Sequence, residues 1–158
     1  VEMSSLHLSP PSWLPRRFRP PMCAQGRGAI LIFSSSAGFL PIARLAVYAA
    51  TKAYVTRFSE ALRAELRGTG VTVSALCPGP VHTEFSQAAQ RPDAKKPKAT
   101  PGISHVSAQE VVRAGLAAVE ADRALAIPGF VMKLGMARVR MTPLPLLRLA
   151  SRFSAKPM

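Results

Sequence analysis

Residues 28–52 read GAILIFSSSAGFLPIARLAVYAATK, an apolar run followed by serines and then by a helix-like pattern. The run Ala29–Phe33 is bounded by glycine and serine, which predicts a strand buried on both faces, as in a parallel sheet. Thirteen positions separate Ser35 from Tyr48, and four separate Tyr48 from Lys52. This spacing puts the serine just beyond the end of the strand and the tyrosine and lysine on one face of the following helix.

The elements that follow alternate between helix and strand. A helix is predicted over Ala46–Arg67, and a second short strand over Val71–Leu76, ended by a Pro-Gly-Pro turn. Ser107-Ala-Gln-Glu is a capping-box pattern that predicts a helix to about Ala121, and residues 124–127 suit a last edge strand. This order predicts half of a doubly wound α/β fold with a parallel sheet. The apolar residues expected on the inward face of the first helix are Val47, Ala50, Tyr54, Phe58, Ala61 and Leu62.

Two segments fit no regular element. Residues 1–28 contain five prolines, which remove backbone donors and argue against a continuous helix, so we expect an irregular leader left from a longer chain. Residues 83–104 are polar and rich in proline and lysine, which predicts a long loop. The prolines of the leader are Pro10, Pro11, Pro15, Pro20 and Pro21.

The charge of the chain is strongly positive. The 158 residues carry a net charge of +13, and residues 123–158 contain seven basic residues and no acidic one. These bases alternate with apolar residues, a pattern that suits an amphipathic surface on anionic lipid better than it suits groove reading of nucleic acid. An ordinary solvated basic face explains the pattern equally well. No apolar run approaches the roughly 18 residues of a membrane-spanning helix, and Cys23 and Cys77 have neither disulfide nor metal spacing, as in a reduced cytoplasmic protein.

The chemistry-bearing residues are Ser35, Tyr48 and Lys52. A lysine ammonium beside a tyrosine favours the phenolate and so lowers the tyrosine pKa from its usual value of about 10, which prepares the hydroxyl for proton transfer. A serine at the carboxyl edge of a parallel sheet lies where open α/β folds bind ligands. Each residue alone also suits a purely structural role, but the combination points to carbonyl and alcohol chemistry.

The combined pattern resembles the short-chain dehydrogenases/reductases. Residues 28–38 look like the family's strand leading into its catalytic serine, and residues 48–53 (YAATKA) look like its signature helix. Residues 77–83 (CPGPVHT) are similar to its Pro-Gly-x-Val-x-Thr cofactor turn. The resemblance covers about residues 20–127, and it implies the C-terminal half of a Rossmann fold, with the N-terminal nucleotide-binding half missing.

The resemblance also implies roles for individual residues. Ser35 polarises the substrate oxygen, Tyr48 is the proton donor and acceptor, and Lys52 lowers the tyrosine pKa and holds the nicotinamide ribose. The cofactor is NAD or NADP, and the substrate is a small carbonyl or alcohol, for which the apolar basic tail suggests a lipid-like molecule. A homo-oligomer formed through the Tyr48 helix is implied as well. The residues implied to contact the cofactor are Tyr48, Lys52, Pro78, Gly79, Val81 and Thr83.

The sequence departs from the family pattern in its first part. It contains no glycine-rich turn for a pyrophosphate and no asparagine at all, so the family's helix asparagine has no counterpart. We therefore divide the chain into a leader (1–28), a catalytic half (29–127) and a basic amphipathic tail (128–158), and we expect the isolated chain to lack activity. The alternatives are a non-enzymatic fragment or dimerising pseudoenzyme, and a basic protein bound peripherally to membranes.

Overall fold

A computed structural model describes residues 2–43, 45–81, 106–143 and 145–149, with the backbone alone for residues 2–10. The loop predicted over 83–104 and the end of the chain beyond 149 lie outside the described residues. The helices are α1 (Glu2–Ala24), α2 (Ala46–Glu65), α3 (Ala108–Glu120) and α4 (Phe130–Met141), and a 3-10 turn spans Ser36–Phe39. The strands are β1 (Gly28–Phe33), β2 (Val71–Leu76) and β3 (Leu125–Ala126).

The described strands form a parallel three-stranded sheet in the order β1-β2-β3. Strand β1 pairs with β2 along its whole length, from Gly28 opposite Val71 to Phe33 opposite Leu76. Strand β3 pairs with the end of β2 alone, where Leu76 lies opposite Ala126. The three carboxyl ends therefore meet at one edge, and the predicted half of a doubly wound parallel fold is confirmed.

Apolar side chains from the two faces of the sheet form separate cores. One core joins β1 and β2 to α2, with Ile32, Val55, Leu62 and Val73 at its centre and Met22 of α1 at its margin. The other core lies on the opposite face, where α3 covers the sheet. It contains Leu76, Val111, Ala118 and Ala126, with Leu31 packed against it. Because successive residues of a strand point to opposite faces, the continuous apolar run of β1 supplies both cores.

The prediction of an irregular leader is wrong, because 23 of the first 24 residues form helix α1. An interior proline costs a helix about 3 kcal/mol, so packing against the rest of the fold has to offset the loss. Such packing is visible at Pro15, which is buried, and at Met22, which packs against the core between the sheet and α2. A groove of about 370 Å³ remains between α1 and β1. On the helix side it is lined by Pro11, Leu14, Pro15, Phe18 and Met22, which repeat at helical spacing. Two of the prolines thus belong to an apolar stripe that faces the sheet.

Strand β1 is less buried than its sequence predicts. Ile32 is buried, whereas Ala29 is exposed and Phe33 is 58% exposed. The reason is that β2 is the only strand paired with β1 among the described residues, so the other edge of β1 has no strand partner there. An open edge of this kind is prone to pairing with other chains.

The prediction for the inward face of α2 is mostly wrong. Val47 is 59% exposed and Tyr54 is 44% exposed, although Leu62 is buried as expected. The helix instead turns a partly polar face toward the sheet, because the hydroxyls on that face find hydrogen-bond partners in the interior. The buried residues of α2 are Ala49, Thr51, Lys52, Val55, Thr56, Ser59 and Leu62.

Helix α3 begins as the capping pattern predicts, since the Ser107 side chain accepts a hydrogen bond from the Glu110 amide. Val112 and Leu116 of this helix are about half exposed, so its buried face is narrow. Close contact with the sheet is concentrated at Gly115. A Cβ there would lie 3.0 Å from a methyl carbon of Leu31 and 3.0 Å from one of Leu76.

We expect Gly115→Val to lower the free energy of unfolding by about 1–3 kcal/mol, because the larger side chain overpacks the core under α3. Gly135 in α4 is the matched control, since a Cβ there would meet no atom within 4 Å. Gly135→Ala should raise the free energy of unfolding by about 0.5–1 kcal/mol. Urea denaturation measures both changes, and equal stability of the Gly115→Val and wild-type chains would contradict the packing described for α3.

Candidate active site

A buried lysine is anchored to the carboxyl end of β1. Lys52 is 9% exposed, and its Nζ donates a hydrogen bond to the Phe33 carbonyl oxygen at 3.3 Å. Its own main-chain carbonyl accepts a hydrogen bond of 2.9 Å from the Ser34 hydroxyl. Both ends of the lysine are thus bound to consecutive residues at the end of the strand.

The Lys52 ammonium lies beside Tyr48, one helical turn earlier. The distance from Nζ to the centre of the Tyr48 ring is 5.8 Å, and the tyrosine is half-buried. The predicted placement of these two residues on one face of a helix is therefore confirmed. Burial lowers the pKa of Lys52, and the nearby Cys77 opposes this shift. A cation with little access to water interacts strongly with negative charge that develops close to it.

Ser35 caps the 3-10 turn that follows β1. Its Oγ accepts a hydrogen bond of 3.2 Å from the Ala37 amide, and its backbone is extended. A hydroxyl that accepts a bond in this way still has its own hydrogen to donate. Ser35 therefore acts as a structural cap while keeping a proton that can be directed to a substrate oxygen.

The Pro78-Gly79 turn lies at the same edge of the sheet. The Ser36 amide donates a 2.9 Å hydrogen bond to the Pro78 carbonyl, which ties the serine turn to this turn. Gly79 faces the side chain of Met132 in α4, since a Cβ on Gly79 would lie 2.5 Å from the Met132 methyl carbon. Val81 packs against the core under α3, and Thr83 lies outside the described residues.

The structure also shows residues near this edge that the spacing argument missed. Ser34 and Thr56 are almost completely buried, at 5% and 3% exposure, and both contact the Lys52 carbonyl. The sequence does contain these hydroxyls, one four residues after Lys52 and one immediately before Ser35, but the spacing argument did not use them. Met132 could not have been found from the sequence, because no short motif links it to Gly79.

Metal-ligand clusters and membrane-spanning helices are both absent from the described residues. Across residues 2–43, 45–81, 106–143 and 145–149, no three His, Cys, Asp or Glu side chains lie together as metal ligands would. In the same part of the chain, no helix is both long enough and apolar enough to cross a membrane.

Comparison with known sequences identifies relatives of the chain. The family model for the short chain dehydrogenases matches residues 2–94. An uncharacterized oxidoreductase of Escherichia coli, YbbO, is 37% identical over 91 residues, which are 58% of this chain and 34% of that protein. The very-long-chain 3-oxoacyl-CoA reductase of Mus musculus is 39% identical over 80 residues, which are 51% of this chain and 25% of that enzyme.

Comparison with solved structures extends the likeness to nearly the whole chain. A short-chain dehydrogenase from Sphingobium yanoikuyae, solved in complex with NADPH, superposes with a TM-score of 0.69 at 25% identity. The match covers 97% of this chain and 56% of that one. The chain thus spans about half of the solved structure and at most about a third of the two curated relatives. The family match also includes almost all of the segment that was predicted to be a leader.

Proposed function

The chain belongs to the short-chain dehydrogenase family, and from this premise we propose that it forms the catalytic part of an NAD(P)-dependent oxidoreductase that interconverts a carbonyl and an alcohol. The observation that carries the proposal is the buried Lys52 ammonium, bound to the end of β1 and lying over the Tyr48 ring. Among the described residues this arrangement unites a proton-bearing hydroxyl with a fixed positive charge at the ligand-binding edge of a parallel sheet.

Tyr48, Ser35 and Lys52 divide the proton chemistry between them. In the reducing direction, Tyr48 gives its phenolic proton to the substrate oxygen as the carbonyl carbon gains a hydride. Ser35 donates a hydrogen bond to the same oxygen and holds it in place. Lys52 stabilises the negative charge left on the tyrosine oxygen. In the oxidising direction Tyr48 takes the proton back from the alcohol.

The residues at this edge fit the nicotinamide end of the cofactor. Lys52 would bind the ribose hydroxyls, and Pro78, Gly79 and Val81 would lie against the ring, with Thr83 expected beside them. Gly79 has no side chain, and the group that fills the space beside it is the flexible end of Met132, so a flat ring can approach the turn when the Met132 side chain moves aside. The bound cofactor supplies or accepts the hydride. The NADPH complex of the Sphingobium relative supports this choice of cofactor.

The proposed substrate is a small carbonyl or alcohol of lipid-like character. The name of the mouse relative, a very-long-chain 3-oxoacyl-CoA reductase, supports this class. Met132 of α4 faces the Gly79 turn, and the last turn of the same helix carries Arg138 and Arg140, so an amphiphilic substrate that lies along α4 would meet both kinds of group.

The first test is Tyr48→Phe in a protein that joins this chain to a glycine-rich nucleotide-binding half from a relative. We expect turnover to fall by about 100-fold or more, since the proton donor is lost, while the affinity for NAD(P)H stays nearly unchanged. Steady-state kinetics and cofactor fluorescence titration measure the two quantities.

Tyr54→Phe is the matched control, because Tyr54 lies on the same helix with 44% exposure and bonds Ser12 instead. It should keep near-normal turnover. The unjoined 158-residue chain serves as the blank and is expected to be inactive. Near-normal activity of Tyr48→Phe, or clear turnover by the blank, would overturn the proposal as stated.

We also propose that α2 packs against a second copy of the chain. Its outer face presents Val47 at 59% exposure and Tyr54 at 44%, with Leu45 just before the helix at 50%. Tyr54 is partly covered by α1, since its hydroxyl bonds Ser12, whereas Leu45 and Val47 at the start of the helix make no such bond within the described part of the chain. Large exposed apolar side chains are typical of a protein interface.

Val47→Glu should therefore weaken self-association by about tenfold or more, because it places a charge in the apolar contact. Sedimentation equilibrium measures the association constant. Ala117→Glu, at an exposed position of α3 on the other face of the sheet, is the control and should leave it unchanged. Equal self-association of the Val47→Glu and wild-type chains would exclude α2 as the interface.

A second candidate function is peripheral binding to anionic membranes, with the dehydrogenase motifs kept in a non-enzymatic fragment or dimerising pseudoenzyme. It is favoured by α4, which exposes Phe130 at 80%, Leu134 at 54% and Met141 at 85% of their surface. Lys133 and Arg138 are exposed on the same helix. Apolar and basic residues together are the pattern of interfacial helices.

Vesicles containing phosphatidylserine should then bind the chain in a salt-sensitive manner, whereas pure phosphatidylcholine vesicles and duplex DNA should not. Phe130→Asp should reduce vesicle binding by about tenfold or more, since it replaces the exposed apolar side chain at the start of α4 with a negative charge. Co-sedimentation measures the bound fraction. Equal binding to both kinds of vesicle would count against this function.

A further inference from the structure

We infer that Ser34 and Thr56 are positioning residues that hold Lys52 in the active site through its main-chain carbonyl. The inference rests on the proposed function for its consequence, but the hydrogen bonds that carry it are independent of any reaction. Ser34 comes from the end of β1 and Thr56 from the next turn of α2, so the two residues connect the strand to the helix.

The three polar atoms form a closed triangle. The Ser34 and Thr56 hydroxyl oxygens lie 2.9 Å and 3.0 Å from the Lys52 carbonyl oxygen, and 2.6 Å from each other. Each hydroxyl has one hydrogen, so one of them donates to the carbonyl and the other donates to the first hydroxyl. Both residues are at most 5% exposed, which leaves little opportunity for water to replace either bond.

The triangle fixes the helix to the sheet at the position of the lysine. The Ser34 amide donates a 2.8 Å hydrogen bond to the Leu76 carbonyl, so the backbone of Ser34 is part of the β1–β2 pairing. Its side chain then holds the Lys52 backbone, and the Lys52 ammonium returns to Phe33, the residue before Ser34. Loss of the triangle would leave Nζ as the main polar link between Lys52 and the strand.

A comparison within α2 separates this role from ordinary packing. Ser59 is 2% exposed and donates a 2.7 Å hydrogen bond to the Val55 carbonyl, four residues earlier on the same helix. Thr56 makes the same type of bond to Lys52, but its hydroxyl also meets Ser34 from the strand. Ser59 therefore has the same burial and the same local bond without the link to the site.

The Cys77 thiol beside the triangle is uncharged at neutral pH. The Cys77 sulfur lies 3.9 Å from the Thr56 hydroxyl oxygen. Burial raises the pKa of the Cys77 thiol, with a smaller contribution in the same direction from Glu60, while its contacts with Thr56 and Ser34 and the charge of Arg140 oppose this shift. The thiol is therefore protonated at neutral pH, and its charge acts on Lys52 only at the higher pH at which the thiol ionises.

The test compares Ser34→Ala/Thr56→Val with Thr56→Ser and Ser59→Ala in the 158-residue chain. The readout is the titration of Lys52, followed by the NMR chemical shift of its Cε and assigned by the loss of that signal in Lys52→Arg. The pKa of Lys52 is lowered by burial. We expect it to rise toward the ordinary lysine value in Ser34→Ala/Thr56→Val, because the side chain gains access to water.

Thr56→Ser keeps the hydroxyl and should titrate like the wild type, and Ser59→Ala should do the same. An unchanged Lys52 titration in Ser34→Ala/Thr56→Val would overturn the inference. An equal shift in Ser59→Ala would also overturn it, because the effect would then reflect general loosening of α2.

A second measurement uses the protein joined to a nucleotide-binding half. There Ser34→Ala/Thr56→Val should lower kcat by about tenfold or more with little change in the KM for NAD(P)H, and Thr56→Ser should keep the wild-type kcat. If the Lys52 titration changes as expected but the joined wild-type protein and all of its variants lack turnover, the positioning role is kept and the proposed function is wrong. A changed titration with kcat unaffected would overturn the catalytic consequence of the inference.

Discussion

A lysine ammonium that is removed from water needs a partner, and the last carbonyl group of β1 provides one. Lys52 is buried where helix α2 crosses the end of the strand, and its Nζ bonds the Phe33 oxygen. Burying a charge is costly unless it is bonded, so the helix has to lie where this bond can form. The turns that follow β1 and β2 are then joined by the Ser36–Pro78 hydrogen bond. The anchored cation thus fixes α2 to the end of β1, and the second bond fixes the two turns to each other at the same edge of the sheet.

The anchored cation also explains the unusual orientation of α2. To reach Phe33 and Ser34, the helix has to direct Lys52 and Thr56 into the interior, and Ser59 follows on the same face. Each of these polar groups has a hydrogen-bond partner, as buried polar groups require. The consequence is that apolar residues such as Val47 and Tyr54 are turned outward. The same choice of face thus accounts for the polar interior of the site and for the apolar surface that we propose as an interface.

Helix α1 lies along the open edge of β1. This helix contains proline at positions that normally interrupt a helix, yet its apolar stripe lies against the strand. Each interior proline costs a helix about 3 kcal/mol, and the stripe offsets part of this cost through Pro15, which is buried, and Met22, which packs against the core between the sheet and α2. The groove that remains between α1 and β1 has a volume of about 370 Å³ and lies along an edge without a strand partner among the described residues.

Local sequence was sufficient for the order of the central elements and for part of the site. The apolar run before Ser35, the spacing of Tyr48 and Lys52 and the capping residues of α3 depend on contacts within a few residues, and they were predicted correctly. The helical state of residues 2–24, the inward face of α2 and the exposure of β1 were not. Each of these depends on a partner distant in the chain: the sheet beneath α1, the Phe33 carbonyl for Lys52 and the neighbours available to β1. Periodicity identifies an apolar face, but it cannot show that a hydroxyl or an ammonium will find its partner in the interior. The sequence by itself therefore determined which residues we propose to carry the chemistry, and the tertiary structure decided how they are held, because hydrogen bonds between strand and helix outweighed the local preferences for apolar burial.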